Sequence, residues 1–434
     1  MKLTKLTLQN YRRFEDFEIT FHPELTVIAA RNGQGKTTAL EAIAAALGPF
    51  VGAFDMGKSQ QIARTDARFS VVGNGFENEQ NFPVVIQAEA DEPAIQWQRA
   101  LNSPKGRTTT KEAAPLADWG KQLQSEIRDD PNTELPVVAY YPSSRLWVNH
   151  KDVSGKSVIS GSRSLGYEDC LTSSSSFKQM QKWVQDATRS AQQETEFKGY
   201  QKSNLKPRLD GIQRAVNQAM QDEGWSEFHY SFAHGELVMW HVDHGLLPVS
   251  LLSDGVRAMI SLVADIAFRC ARLNGHLNEQ APELTPGIVL IDEVDLHLHP
   301  AWQQRVINSL RSAFPNIQFI VSTHSPQVLS SVHKESIRTI GRNADGKFVA
   351  EIPLARSYGE ISSDVLETIM LVDPYPPIAE RKDLNRLVEL VDQGYYQTQE
   401  ADSLFKKLAA SLGENHPALV RLQRSIQRQE VLKK

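Results

Sequence analysis

The stretch of sequence that decides the fold is RNGQGKTT, residues 31–38. It follows a short apolar run at 25–29, which has the length and composition of a buried strand. After it, apolar residues recur at helical spacing among alanines as far as the Gly-Pro pair at 48–49. The sequence therefore predicts a strand, a glycine-rich loop and a helix, in that order.

A glycine-rich loop between a strand and a helix favours phosphate binding, because its backbone N–H groups and the helix N-terminus point at a bound anion. Residues 33–37 carry most of a Walker A motif, in which the lysine reaches the β- and γ-phosphates and the threonine hydroxyl binds Mg²⁺. The full motif has glycine where this chain has Ala30. We expect ATP and Mg²⁺ as cofactors. The residues expected to bind them are Asn32, Gly33, Gly35, Lys36, Thr37 and Thr38, with Thr37 as a metal ligand.

Two further apolar runs end in groups suited to phosphoryl chemistry. The run 288–291 ends in Asp292 and Glu293. Asp292 is placed to hold Mg²⁺, and Glu293 to polarise the attacking water. The run 319–321 is followed by Ser-Thr-His, and His324 at that strand end is expected to reach the γ-phosphate and the water. Glu293 and His324 are therefore the predicted catalytic residues.

A metal cluster is a rival interpretation of the segment DLHLH, residues 295–299. Alternating Asp, His and His side chains could place three ligands on one side of a strand. The segment follows the acidic pair and precedes Pro300 and a helical pattern, so a turn with structural histidines is the favoured interpretation.

The four motifs together carry a family resemblance. The segment LSDGVR at 252–257 precedes a strongly apolar helix and resembles the signature loop of ABC-type ATPases. The opening LQNYRRF at 8–14 resembles the first strands of RecF-, SMC- and OLD-like ATPases. The segment 291–303 resembles the AAA-type ATPases of bacterial defence systems, most of all those of the Septu system.

The resemblance implies an α/β fold: an ABC-type P-loop ATPase head with a mixed sheet, a helical insertion lobe and a helical C-terminal tail. The nucleotide-binding core is expected at 1–50 and 245–350, the inserted strands and helical lobe at 51–244, and the tail, as an assembly region, at 351–434.

The resemblance also implies a role for residues outside the loop. In ABC-type ATPases two heads sandwich the nucleotide, so Ser253 and Gly255 would act on ATP held by the neighbouring subunit. Arg12 or Arg13 would contact the nucleotide base. Gln60 or Gln61, with Gln61 preferred, would sense the Mg²⁺.

Composition limits the partners. A length of 434 residues predicts about three domains or lobes. The net charge of −5 disfavours a surface that binds nucleic acid all over, although a local basic face remains open. The sequence contains no run of about 18 apolar residues, so no membrane-spanning helix is predicted. The start of the chain lacks the apolar region of a secretory signal, and two cysteines cannot form a disulfide framework, so a cytoplasmic location is expected.

The predicted function is ATP hydrolysis by a sensor or regulator subunit of an antiphage defence complex. The predicted partners are a second copy of the chain, in a homodimer or higher homo-oligomer, and a separate effector nuclease of the HNH type. No Asp-x-Asp of a Toprim nuclease follows His324, so no nuclease is expected in this chain. The alternatives are a RecF-like DNA-repair ATPase that clamps DNA, and an ATP-bound scaffold with little turnover.

The tail contains two amphipathic stripes, both at helical spacing. Their residues are Leu384, Leu387, Val388 and Val391 in the first, and Leu419, Leu422 and Ile426 in the second. Such stripes must be buried. The favoured interpretation packs them on the ATPase core, and the alternative docks them on another subunit or on the nuclease.

Overall fold

The computed structural model describes residues 1–72, 77–144, 162–172, 177–196 and 203–432. The chain forms two compact units, Met1–Val372 and Asp373–Lys434. Of the helices in the described ranges, none combines the length and the apolar character needed to cross a lipid bilayer.

Strands and helices both occur throughout the first unit, whereas the second unit is helical. The strands are β1 (Lys2–Tyr11), β2 (Phe14–Thr20), β3 (Leu25–Ala29), β4 (Phe69–Val72), β5 (Glu77–Gln80), β6 (Val84–Asp91), β7 (Ile95–Leu101), β8 (Val137–Tyr141), β9 (Trp225–Ser231), β10 (Glu236–His241), β11 (Gly245–Pro248), β12 (Gly287–Ile291), β13 (Ile317–Thr323), β14 (Ile337–Arg342) and β15 (Phe348–Glu351). The helices are α1 (Lys36–Val51), α2 (Ala114–Asp129), α3 (Phe177–Glu196), α4 (Leu205–Met220), α5 (Asp254–Leu273), α6 (Ala281–Leu284), α7 (Pro300–Gln303), α8 (Val306–Ala313), α9 (Pro326–Ser330), α10 (Ser362–Thr368), α11 (Arg381–Asp392), α12 (Gln399–Leu412) and α13 (Pro417–Leu432).

The central sheet has six strands in the order β15-β14-β3-β13-β12-β8. All neighbours are parallel except β14 and β15. Parallel strands place their carboxyl ends at one edge, and here β3, β13 and β12 lie side by side. Their apolar residues are buried on both faces, as expected for a covered parallel sheet. The predicted mixed sheet and α/β fold are confirmed.

A second, antiparallel sheet has the order β2-β1-β6-β7. Its strands alternate buried apolar and exposed polar side chains, so only one face belongs to the core. Helix α1 contacts β6 of this sheet and β12 and β13 of the central sheet. The Trp97 indole N–H of β7 donates to Ala46 O of α1 at 2.8 Å. The helix that follows the glycine loop is therefore held between two sheets.

Helix α1 does not stop at the Gly-Pro pair, as the sequence suggested, but continues to Val51. Pro49 lacks an N–H, so it leaves the carbonyl of Ala45 without its helical donor. The guanidinium of Arg99 donates to that carbonyl instead. A partner 54 residues away therefore compensates for the proline.

The inserted region contains α3 and α4, as the helical spacing predicted, and also a three-stranded antiparallel sheet in the order β11-β10-β9. This sheet was not predicted. Its apolar residues are interspersed with His, Ser and Glu over strands of only four to seven residues, too short to show a clear alternation.

The second unit is built from α11, α12 and α13 around a small core of its own. The two predicted stripes bury most of their residues there, and Val388 is the exposed exception at 36%. Within this unit the stripes pack with each other, a solution that the sequence interpretation did not consider. The unit begins at Asp373, whereas the sequence-based tail begins at residue 351.

Candidate functional site

At one position of the glycine loop, Gly35, the backbone has a conformation that glycine adopts far more readily than other residues. Gly35 has a φ of 103°, in the left-handed region. A methyl group added to it would lie 2.5 Å from Cζ of Phe14, at the start of β2. Phe14 therefore packs directly against the loop and fixes its conformation.

Lys36 lies at the first position of α1 and is only 6% exposed. Its ammonium donates to Ala30 O at 3.0 Å and lies 2.6 Å from Nε2 of His324. Burial lowers the pKa of Lys36, although Asp292, Glu293 and Asp295 oppose the shift. The carboxyl end of β3 and the residue after β13 thus meet at one buried ammonium group.

His324 faces this ammonium as a neutral imidazole. Burial and, after it, the charge of Lys36 lower the pKa of His324, and the nearby carboxylates raise it less. A lysine ammonium can only donate, so Nε2 of His324 accepts and its proton lies on Nδ1. A neutral His324 can donate or accept at the site without adding positive charge.

Asp292, directly after β12, is buried between two hydroxyl groups. Thr37 of α1 donates to Oδ2 at 2.8 Å, and Ser322 of β13 donates to Oδ1. An ionised carboxylate only accepts hydrogen bonds, so these two donors hold Asp292 in one orientation. Thr37 and Asp292 are therefore adjacent, as two ligands of one magnesium ion would have to be.

The backbone turns sharply after Asp292. Glu293 has a φ of 48°, uncommon for a residue with a side chain, and its N–H donates to Oγ of Ser322 at 2.8 Å. Ser322 therefore positions both members of the acidic pair. The side chain of Glu293 is half-buried.

The segment 295–299 is a turn. Oδ1 of Asp295 accepts from the Thr323 hydroxyl at 2.6 Å, and Nδ1 of His299 accepts from Ala301 N at the start of α7. Among the described residues, no group of three or more His, Cys, Asp and Glu side chains is arranged to hold a metal ion. The rival metal cluster is not formed.

The signature segment packs against this turn. A methyl group added to Gly255, in the first turn of α5, would lie 2.4 Å from the carbonyl oxygen of His297. Ser253, immediately before α5, is exposed to solvent. The structure thus links the start of α5 to the turn that follows Asp292, and leaves Ser253 accessible to a second molecule.

The two arginines of the opening strand pair have different surroundings. Arg12 forms ion pairs with Glu41 of α1 and with Asp66, the latter at 2.8 Å. Arg13 instead lies along the glycine loop: its Cδ is 3.0 Å from the methyl position of Gly35, and its guanidinium is 4.7 Å from the ring centre of Phe348. Arg13 therefore lies beside the glycine loop, and Arg12 joins elements of the fold.

Gln61 is not brought to the loop. Its side chain accepts from Arg99 at 2.9 Å and donates to Ser59 O at 3.2 Å. Arg99 donates a hydrogen bond to the carbonyl oxygen of Ala45, which lies about 12 Å along α1 from Thr37. The backbone carbonyl of Gln60 is bound by the same arginine. The backbone of Gln60 and the side chain of Gln61 therefore both bind Arg99, which contacts the C-terminal part of α1.

The structure therefore brings together residues that lie far apart in the sequence. They are Gly33, Gly35, Lys36, Thr37, Asp292, Glu293 and His324, with Asn32 exposed beside them and Thr38 in the first turn of α1. Phe14, Ser322 and Asp295 were missed as supporting residues. Ser322 directly follows an apolar run in the sequence, and this position at a strand end could have identified it as a supporting residue.

The side chains present fit ATP and Mg²⁺. A glycine cradle that a methyl group would fill, a buried ammonium, and a hydroxyl beside a carboxylate are the donors and acceptors that a magnesium-bound triphosphate requires. Loop, sheet edge and signature segment together define a P-loop protein of the ABC type.

Comparison with known proteins identifies the family. The chain belongs to a family described as "AAA domain", whose model matches residues 5–223. A second AAA domain model matches residues 178–330.

Individual proteins are similar over different extents. "Retron Ec83 probable ATPase" of Escherichia coli is 26% identical over 99% of this chain and 87% of its own length. "Septu protein PtuA" of Bacillus mycoides is 39% identical over 22% of this chain and 12% of its own length. Among solved structures, an SMC head bound to the winged-helix domain of ScpA has a TM-score of 0.47 and 17% identity, covering 81% of this chain and 97% of that chain.

Proposed function

We propose that this chain is a Mg²⁺-dependent ATPase with its site at the carboxyl ends of β3, β12 and β13. The observation that carries the proposal is the set of three contacts at this edge: Lys36 to Ala30, Lys36 to His324, and Thr37 to Asp292. Each contact joins a residue of α1 to a separate strand end. The relatives named as probable ATPases support the same activity.

The chain's own residues divide the work. Lys36 and the loop N–H groups bind phosphate oxygens, and Thr37 and Asp292 hold the metal. When bound, Mg-ATP supplies the anhydride bond that breaks and a metal that neutralises the developing charge. Glu293 accepts a proton from the attacking water at its carboxylate, and neutral His324 orients that water.

Nucleotide binding tests this assignment directly. Lys36→Ala removes the buried ammonium that lies beside Ala30 O and His324 and is proposed to bind phosphate oxygens, so ATP affinity should fall at least tenfold. Lys121→Ala removes an exposed lysine that pairs with Asp118 on α2, and should bind ATP as the wild type does. Equal ATP affinities of the two variants, measured by calorimetry, would refute the site.

We further propose that two copies complete each site. Ser253 is exposed at the start of α5, and Leu251, two residues before it, is 72% exposed, which is a large exposed fraction for an apolar side chain. Both features suit a surface covered by a second head. Ser253 and Gly255 would then act on the neighbour's nucleotide.

Mixing two inactive variants tests the shared site. In a mixture of Lys36→Ala and Ser253→Arg, one composite site carries both lesions and the other carries neither. About a quarter of wild-type turnover is then expected, since half of the dimers are mixed and each has one intact site. If subunits exchange but turnover stays at the level of the separate variants, sites formed between subunits are ruled out.

We infer that the ATPase is the sensor or regulator subunit of a cytoplasmic antiphage defence complex whose nuclease, of the HNH type, is a separate chain. The retron and Septu relatives support this role. Co-expression with an HNH nuclease encoded beside the gene should give a stable complex and phage resistance, and Lys36→Ala should abolish the resistance. Resistance that survives this change would separate ATP binding from defence.

A further inference from the structure

The last helix of the chain has a charge opposite to the rest of its unit. Residues 417–434 contain five Lys and Arg and one Glu, whereas residues 373–416 contain five Lys and Arg and eight Asp and Glu. The second unit is therefore polarised, with its positive charge on α13 and on the two lysines after it. The chain as a whole carries a net charge of −5, so this concentration runs against the overall composition.

Three arginines of α13 form one face. Leu419 and Leu422 are buried in the small core, whereas Arg421, Arg424 and Arg428 are exposed. At about 100° per residue the three arginines fall within a sector of about 60°, opposite the buried leucines. They extend along about 10 Å of the helix. We call Arg421, Arg424 and Arg428 the arginine face.

These arginines differ from the other cations of the unit in their partners. Most of the others are paired with carboxylates: Arg381 with Asp373, Arg386 with Glu400, Lys406 with Asp402, and Lys407 with Asp383. Within residues 203–432, which the structure describes, no carboxylate pairs with a member of the arginine face. Three guanidinium groups on one helix face thus repel each other with no internal compensation.

We propose that the arginine face binds the phosphate backbone of a nucleic acid. Guanidinium groups bind phosphate through two parallel hydrogen bonds, and three of them along about 10 Å match about three base steps of 3.4 Å. An acidic protein surface fits less well, because protein interfaces need an apolar or aromatic anchor at their centre. From Arg421 to Arg428 the centre of the face carries only arginines. This inference concerns a second binding surface and does not depend on the proposed ATPase activity.

The test measures binding of the full-length protein to a fluorescently labelled duplex DNA of about 30 base pairs, and to the single strand, over a range of salt. The variant changes Arg421, Arg424 and Arg428 together to Gln. Losing three phosphate contacts should weaken binding at low salt at least tenfold and should reduce the slope of log K against log salt by roughly 3. A Lys version of the triple change keeps the charges and should keep most of the slope.

A matched control changes Arg386, Lys406 and Lys407 together to Gln. It removes the same charge from the same unit but only exposed ion pairs, so affinity should change less than about threefold. Circular dichroism and thermal melting verify that all three triple variants fold. The proposal is overturned if the wild type binds neither nucleic acid, if the arginine variant binds as the wild type does, or if the control loses as much affinity. ATP binding by the arginine variant should stay unchanged.

Discussion

Gly35 and Lys36 are adjacent, but different forces constrain them. Gly35 is required by its backbone angle and by the contact with Phe14. Lys36 is a buried cation whose partners are a carbonyl and a neutral imidazole. Both constraints hold before any nucleotide binds, so the loop is prepared for a phosphate and its ammonium already points into the site.

Alanine in place of Gly35 should therefore disrupt the site. The change combines an unfavourable φ with an overlap on the Phe14 ring, so it should cost more stability than φ alone and should weaken ATP binding at least tenfold. Gly235 is a matched control, since its φ is 71° but a methyl group there would meet nothing within 4 Å. Gly235→Ala should cost about 1 kcal/mol and leave ATP binding unchanged. Equal losses of stability in the two variants, by urea unfolding, would disprove the role of Phe14.

The pKa of His324 can also be predicted from its surroundings. Its pKa in the nucleotide-free protein should lie below the ordinary 6.5, because of burial and then of Lys36. Lys36→Met removes the cation and should raise the pKa of His324. Because the folded state binds fewer protons between the lowered pKa and 6.5, this contribution to stability is complete above 6.5 and is lost as the pH falls. NMR titration of the His324 ring gives both values; a pKa at or above 6.5 in the wild type would contradict the described geometry.

At the scale of elements, the strands and helices that bear the motifs could be predicted because their signals are local. The apolar runs of β3, β12 and β13, and the spacing in α1 and α5, are all contained in short windows of sequence. What failed depends on distant partners. The end of α1 depends on Arg99, which lies 54 residues from Ala45 in the sequence. The ion pair of Arg12 with Asp66, also 54 residues away, was likewise not predicted. A pattern within one window contains no information about either contact.

Helix α5 also depends on a distant contact. Asp265 is 1% exposed and accepts from the Tyr141 hydroxyl of β8 at 2.7 Å and from Nε of Arg269 at 2.8 Å. The signature segment is thereby fixed to the strand beside β12.

Asp265→Asn should strongly destabilise the first unit, because it removes the buried charge that pairs with Arg269 at 2.8 Å. The expected loss in the free energy of unfolding is about 3–5 kcal/mol. Asp210→Asn, which breaks the exposed pair with Lys206, is the control and should cost at most about 1 kcal/mol. Denaturant unfolding compares the two. Similar costs would show that the buried pair does not anchor α5.

At the scale of the molecule, the division of the chain was the hardest feature to predict. Helical spacing correctly indicated a helical tail, but only the three-dimensional contacts show that α11–α13 share a core of their own. The resemblance to ABC-type ATPases indicated that motifs far apart in the sequence belong to one site, and no local pattern contains this information. Gln61 shows the limit of that resemblance, because its side chain is hydrogen-bonded to Arg99, which binds Ala45 far along α1 from Thr37.

Ending the chain after Val372 should leave the first unit folded. Among the described residues, those of its hydrophobic core all belong to this first unit, so the truncated protein should melt cooperatively and bind ATP. Differential scanning calorimetry and ATP titration measure these properties. If it keeps both but loses its oligomeric state or a nuclease partner, by light scattering, the tail is an assembly region. Aggregation or a non-cooperative melt would show that the two units do not fold independently.

Steady-state turnover of Glu293→Gln tests whether ATP is hydrolysed at this sheet edge with Glu293 as the base. The amide keeps the size of the side chain but cannot accept the proton, so ATP binding should be retained while turnover falls by a factor of about 100 or more. The control Glu335→Gln changes an exposed glutamate before β14 and should hydrolyse ATP at the wild-type rate. Wild-type turnover by Glu293→Gln would show that Glu293 is not the base.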